Sequence, residues 1–174
     1  EIVIPTDLDV YMRKAEEYYN IISSKNNISM IDGKFFKRTL KQKLKKDSET
    51  ILQMIKLCGN WIPKTDQKLN ELQKLLCETH KGEKVVVFTQ YSDTANYIYR
   101  QLVKRGVQQI AVVTGGSENP TTIVEKFSPI SNDKPNMTAE DQYRIVIATD
   151  VLSEGQNLQD SHLIVNFDLP WAII

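Results

Sequence analysis

From Leu8 to Ile22 the apolar residues Leu8, Tyr11, Met12, Ala15, Tyr18, Tyr19 and Ile22 recur every three or four positions, with Arg13, Lys14, Glu16 and Glu17 between them. That period predicts an amphipathic helix over residues 8–22. Asn26–Asn27 and Asp32–Gly33 are turn formers that interrupt it. Leu40, Leu44, Ile51, Ile55 and Cys58 then share a second helical face, although Asp47–Ser48 offers a cap for a fresh helix instead. Gly59 and Pro63 punctuate, and a third helix is predicted from about Asp66 with Leu69, Leu72, Leu75 and Leu76 turned inward.

From Lys84 the pattern changes to short apolar runs alternating with helical segments. Strands are predicted over 84–89, 109–114, 144–149 and 162–167, and a helix over 93–105 that ends at Gly106. A further helix opens at Asn119–Pro120 or at the capping box running from Thr122 to Glu125. Runs such as Ile145 to Ala148 have no polar alternation, which suits strands buried on both faces. Strand and helix in alternation predict an α/β unit with a mostly parallel sheet flanked by helices. Residues 128–142, with two prolines and Ser131–Asn132–Asp133, read as a surface excursion. The organisation expected is a helical region over 1–64 and an α/β lobe over 65–174.

The totals narrow the possibilities. A chain of 174 residues with 41% hydrophobic residues can bury a sizeable core. Lys plus Arg and Asp plus Glu both number 22, so no global field calls for a polyanion and any nucleic-acid contact must be local. No apolar run approaches the roughly 20 residues that span a bilayer and no charged-then-apolar leader opens the chain. A cytoplasmic protein without a membrane partner is expected. Cys58 and Cys77 lack metal-ligand spacing and fall on apolar helical faces, so buried free thiols are expected and no metal site. Beginning at Glu1 and stopping at Ile174 inside an apolar stretch, the chain is expected to be part of a longer protein.

Each strand of the second half ends in residues able to touch a phosphate or hydroxyl: Thr89–Gln90–Tyr91, Thr114–Gly115–Gly116–Ser117, Thr149–Asp150 with Ser153, Glu154 and Gly155, and Asp168. In a parallel sheet with right-handed crossovers these clusters share one edge, where ligands of open α/β sheets bind. Glycine lets backbone amides approach an anion, and threonine adds a hydroxyl donor without charge. Simpler uses stand beside these: Gly115–Gly116 as a turn, Thr89 and Thr149 as caps, Asp150 as the cap of a short helix.

The wording Thr149 to Gly155, then Asn157–Leu158–Gln159 and Asn166 to Trp171, resembles helicase motif V and its sequel in superfamily 2 nucleic-acid motors, nearest to Swi/Snf-type translocases and their HepA-like bacterial relatives. Lys84 to Tyr91 resembles motif IV, and Thr114–Gly115–Gly116 motif IVa. The resemblance implies the second of two RecA-like lobes of an ATP-dependent DNA translocase or helicase. By position, Thr89, Gln90, Gly115, Gly116, Thr149 and Ser153 would face the nucleic-acid backbone. Glu154, Gly155 and Asn157 would lie toward the interlobe nucleotide cleft, and Asp150 would organise the motif V loop. Duplex DNA, the first lobe of the same chain and a larger complex are the implied partners. ATP and Mg²⁺ would be held mainly by the first lobe, since no glycine-rich phosphate loop ending in Lys-Ser/Thr occurs here. The chain alone is therefore expected to bind no cofactor tightly and to hydrolyse no ATP. Ala172–Ile173 departs from the Asn-Pro that many relatives carry after the tryptophan.

Two other readings remain open: an RNA helicase lobe, although Glu154 stands where that group usually has arginine, and a non-enzymatic α/β binding module. Residues 34–46 hold seven basic residues and no acid. Lys37, Arg38, Lys41 and Lys45 there are either a patch on the nucleic-acid backbone or a solvated helix face. Among the aromatic residues, Tyr91 is placed to stack on a base or on adenine.

Overall fold

The computed structural model describes residues 7–25, 29, 31–152 and 156–169. The chain divides into two compact units, Glu1–Pro63 and Lys64–Ile174.

In the first unit, α1 spans Leu8–Ser23. Asp7 caps it, its side chain accepting from the Asp9 N–H at 3.0 Å. The second helix, α2, spans Arg38–Cys58 without a break at Asp47–Ser48. Ser48 Oγ donates back to the Leu44 carbonyl at 2.8 Å, so its hydroxyl serves the helix interior and does not start a new one. Gly59, with φ 67°, ends the helix. Leu52 is the one buried residue of the two helices. Leu8, Tyr11, Met12 and Ala15 line a groove of about 270 Å³ with Ser48, Ile51, Leu52 and Ile55. Cys58, expected to be buried, is exposed. It shares the stripe of Leu40 and Leu44, themselves 37% and 56% exposed, and among the described residues of this unit burial on α2 is confined to Leu52.

The second unit is a four-stranded sheet of β1 (Val85–Phe88), β2 (Ile110–Val113), β3 (Ile145–Ala148) and β4 (Leu163–Asn166), ordered β2-β3-β1-β4. Every pairing is parallel, with Val85 opposite both Ile145 and Leu163, and Ile110 opposite Ile145. Helices α3 (Gln67–Lys74), α4 (Ser92–Lys104) and α5 (Pro120–Phe127) connect or flank the strands. Alternation along each strand sorts the core into two layers. Val85, Val87, Ile145 and Ile147 pack with Leu69, Leu72 and Leu76 and with Ala95, Ile98 and Leu102 of α4. On the opposite face Val86, Val113, Val146 and Ala148 pack with Val124 and Phe127 of α5. Val85, Val86 and Val87 are all fully buried, each side chain stabilising the fold by about 1.5–3 kcal/mol relative to exposure. This is the parallel sheet flanked by helices that the alternating pattern predicts.

Local signals explain the helix starts. Asp66 caps α3 by accepting the Leu69 N–H at 3.0 Å, and its other oxygen accepts the Tyr97 hydroxyl of α4 at 2.9 Å. Past Lys74 the chain widens into a π turn, Leu75–Thr79, closed by the His80 N–H on the Leu75 carbonyl at 2.8 Å. Of the two starts offered for α5, Pro120 at its first turn is the one used. Gly106 follows α4 with φ 85°, a conformation costly for any residue with a Cβ. Among the described residues, no helix is long and apolar enough to cross a membrane.

Candidate nucleic-acid interface

Because the strands are all parallel, their carboxyl ends meet along one edge. Across the sheet the loops run in the order Thr114–Ser117, Thr149–Leu152, Thr89–Tyr91 and Phe167–Asp168. The ladder continues one residue past three of the strands. The Thr89 N–H donates to the Ala148 carbonyl at 2.9 Å, that of Thr149 to Val113 at 3.1 Å, and that of Phe167 to Phe88 at 2.7 Å. Thr89 and Thr149 are accordingly only 4% and 3% exposed, while Gln90, Asp150 and Tyr91 next to them are exposed.

After β2 the chain turns on a reciprocal pair: the Thr114 N–H donates to Ser117 Oγ at 2.9 Å, and the Ser117 N–H to the Thr114 carbonyl at 2.9 Å. Gly115 and Gly116 are exposed at its tip. A Cβ on Gly115 would lie 3.9 Å from Val151 Cγ2, and one on Gly116 would meet nothing within 4 Å. The glycine loop after β2 and the turn after β3 are therefore neighbours. Neither glycine has a positive φ, so what glycine provides at this tip is a bare backbone, open to a close approach.

Asp168 closes the row. Its carboxylate accepts from Thr89 Oγ1, from the Gln90 N–H at 3.2 Å and from Lys68 Nζ at 3.3 Å. Lys68 also lies 4.2 Å over the Phe167 ring. Burial acts to raise the Asp168 pKa, but hydrogen bonds from Thr89, Gln90 and Lys68 outweigh it and hold the carboxyl below the usual carboxylate range. A phosphate reaching the Thr89 hydroxyl would compete with Asp168 for its proton.

Beyond the β3 turn, Ser153, Glu154 and Gly155 lie outside the described residues. Asn157 follows them, its Nδ2 donating to the Ser131 carbonyl at 2.6 Å and its own carbonyl accepting from Asn132 Nδ2 at 2.9 Å. Asp160 accepts from the Ile130 N–H at 2.9 Å, the Ser131 N–H at 3.1 Å and Ser131 Oγ. Burial acts to raise its pKa, and the Ser131 and Ile130 hydrogen bonds, aided by the charge of Lys84, outweigh that and lower it. The excursion over 128–142 thus clamps the stretch that leaves the β3 turn. Sequence reasoning missed Asp160 and Lys68, because their partners are 29 to 100 residues away. A lone acid in a turn and a lone lysine on a short helix were the available signals, and neither is specific.

Lys37, Arg38, Lys41 and Lys45 belong to the other unit, exposed on the first half of α2. Among the described residues, no cluster of His, Cys, Asp or Glu is arranged to hold a metal ion. Of the residues expected toward a nucleotide, Asn157 alone is described, and its amide is engaged with the Ser131 carbonyl.

The helicase conserved C-terminal domain family matches residues 67–174. The ATP-dependent RNA helicase ddx46 of Dictyostelium discoideum is 33% identical over 91 residues, 52% of this chain and 7% of that protein. An ATP-dependent helicase of Bacillus subtilis, YqhH, is 26% identical over 149 residues, 86% of this chain and 24% of the relative. The chain spans no more than 26% of the length of the curated relatives it matches. Among solved structures, the Pyrococcus furiosus Hef helicase domain superposes with a TM-score of 0.48 at 22% identity, covering 92% of this chain and 29% of that one. The C-terminal part of the Fun30 ATPase domain gives 0.47 at 17% identity, covering 78% and 42%. With the match running from α3 through the sheet and its strand-end loops, this chain belongs to the helicase conserved C-terminal domain family.

Proposed function

We propose that this chain is the second motor lobe of an ATP-dependent nucleic-acid translocase or helicase of the Swi/Snf type, working on duplex DNA in the cytoplasm. Thr89, Gln90, Gly115, Gly116, Thr149 and Ser153 hold the phosphate backbone. Glu154, Gly155 and Asn157 lie toward a nucleotide shared with a first lobe, Asn157 fixing the path of the chain there through its amide bond to the Ser131 carbonyl, and Asp150 shapes the turn between the two sites. The observation that carries this reading is the row of strand-end loops, with the open Gly115–Gly116 backbone beside Val151 of the β3 turn. A backbone grip of that kind holds a strand without reading its bases. ATP and Mg²⁺ bound mainly by the first lobe would supply the phosphoryl-transfer chemistry.

The reading of DNA as substrate is supported by Glu154 standing where the RNA helicase group usually has arginine. An RNA helicase lobe is the second reading, favoured by relatives such as ddx46 of Dictyostelium discoideum that are named as RNA helicases. Steady-state ATP hydrolysis by the two-lobed protein separates them. Stimulation by duplex DNA above single strands and structured RNA supports the translocase, stimulation by RNA alone moves the assignment to the RNA helicases, and no hydrolysis with any of them refutes both.

A further inference from the structure

The segment from Lys34 to Lys46 is set apart electrostatically. It carries seven of the 22 basic residues and no acid, which leaves 15 basic against 22 acidic residues elsewhere. The structure puts Lys37 at the N-cap of α2 and Arg38, Lys41 and Lys45 along its first turns. Residues four apart on a helix lie about 6 Å apart along its axis, so these four form one stripe. Lys45 has a loose partner in Glu49 at 3.9 Å. Among the described residues, Lys37, Arg38 and Lys41 have no ion-pair partner. Helix stability does not account for the placement, because cations in a first turn oppose the helix dipole and this first turn holds no acid.

Immediately before the stripe, Phe35 and Phe36 are 75% and 49% exposed. Core packing accounts for neither ring. Two exposed rings, the Phe35 ring with the Lys34 ammonium 5.4 Å from its centroid, head a cation row in which, among the described residues, Lys45 alone has an acidic partner, and together they match a ligand with anionic and flat apolar parts alternating along it.

We propose that the Phe35–Phe36 turn and the first half of α2 form a second nucleic-acid contact, with phosphates on Lys37, Arg38, Lys41 and Lys45 and unstacked bases on the two rings. The choice of nucleic acid as the polyanion rests on the motor-lobe reading above. Cationic stripes of this kind bind with an affinity that falls steeply with salt, and aromatic stacking adds a contribution that salt does not screen.

The test is anisotropy of a labelled DNA single strand and a labelled duplex with the 174-residue chain over a salt series. Helix content is checked by circular dichroism. The K37A/R38A/K41A/K45A variant should bind roughly tenfold or more weakly at low salt, and its log–log salt slope should be less steep by about 3. The F35A/F36A variant should lose roughly thirtyfold or more on the single strand, less on the duplex, at an unchanged slope. Wild-type affinity and slope in a folded four-site variant would overturn the proposal. So would capture by anionic vesicles that depends on the same residues, with no nucleic-acid binding, which makes the surface a membrane contact. Gly116→Asp, in the other unit, separates the two readings. Loss of binding there alone leaves the strand-end grip standing and sinks this contact, and loss in the four-site variant alone does the reverse.

Discussion

The Asp168 carboxylate, one residue beyond the last ladder bond of β4, accepts the hydroxyl proton of Thr89 at the end of β1. The pair joins two strand-end loops that are 79 residues apart in the chain, and the Gln90 N–H and Lys68 converge on the same carboxylate.

Asp168→Asn should therefore weaken the lobe at neutral pH by about 1–2 kcal/mol, below the roughly 1.5–3 kcal/mol of hydrogen bonds to a charged group because solvent screens this partly exposed carboxylate. The Asp168 pKa is held below the ordinary carboxylate range in the folded protein. Its stabilisation is thus fully present above the unfolded value of about 3.9 and is lost as pH falls through the lower folded value. Urea unfolding of wild type and variant should show a gap at neutral pH that closes as the pH drops below about 4. A gap independent of pH would refute the ionic role.

Ser128 is fully buried and its hydroxyl oxygen has no hydrogen-bond partner among the described residues. An unsatisfied buried hydroxyl opposes folding, so Ser128→Ala should be neutral or stabilising by up to about 1 kcal/mol. Thermal melts decide it, and a clear loss of stability would mean that the hydroxyl has a partner such as ordered water.

Two glycines should respond in opposite ways. Gly106→Ala meets no neighbouring atom but is strained by its φ of 85°, and should cost about 1–2 kcal/mol. Gly116→Asp has open space and no such strain. Its stability should stay within about 0.5 kcal/mol, while nucleic-acid affinity falls because a carboxylate faces the phosphate. Affinity equal to wild type would take Gly116 out of the contact.

Asp160→Ala removes the acceptor of two backbone N–H groups and the Ser131 hydroxyl. A cost of about 1–3 kcal/mol is expected, with faster amide exchange at Ile130 and Ser131. Unchanged exchange at those two amides would show that the clamp between the excursion and the stretch after the β3 turn does not depend on this carboxylate.

The sheet was legible because Val85–Val87 and Ile145–Ile147 are β-branched runs bounded by turn residues, and α3 because Asp66 is an N-cap. Local chemistry decides such features. The π turn at Leu75–Thr79 was not legible, since a run of leucines reads the same whether the helix is regular or widened there. Cys58 misled because helical period shows which residues share a face, but not whether anything covers it. At the site, the strand-end loops follow from the strand pattern. The bonds from Asp168 to Thr89 and from Asp160 to Ser131 depend on tertiary proximity, which no short stretch of sequence encodes.

The amides of Thr89, Thr149 and Phe167 all hang on the neighbouring strand, so each of those loops leaves the sheet from an anchored residue. A load applied at one of these tips along the strand axis passes into that strand lengthwise. The ladder bonds to its neighbours then lie across that load and resist it together in shear, not one after another like a zipper.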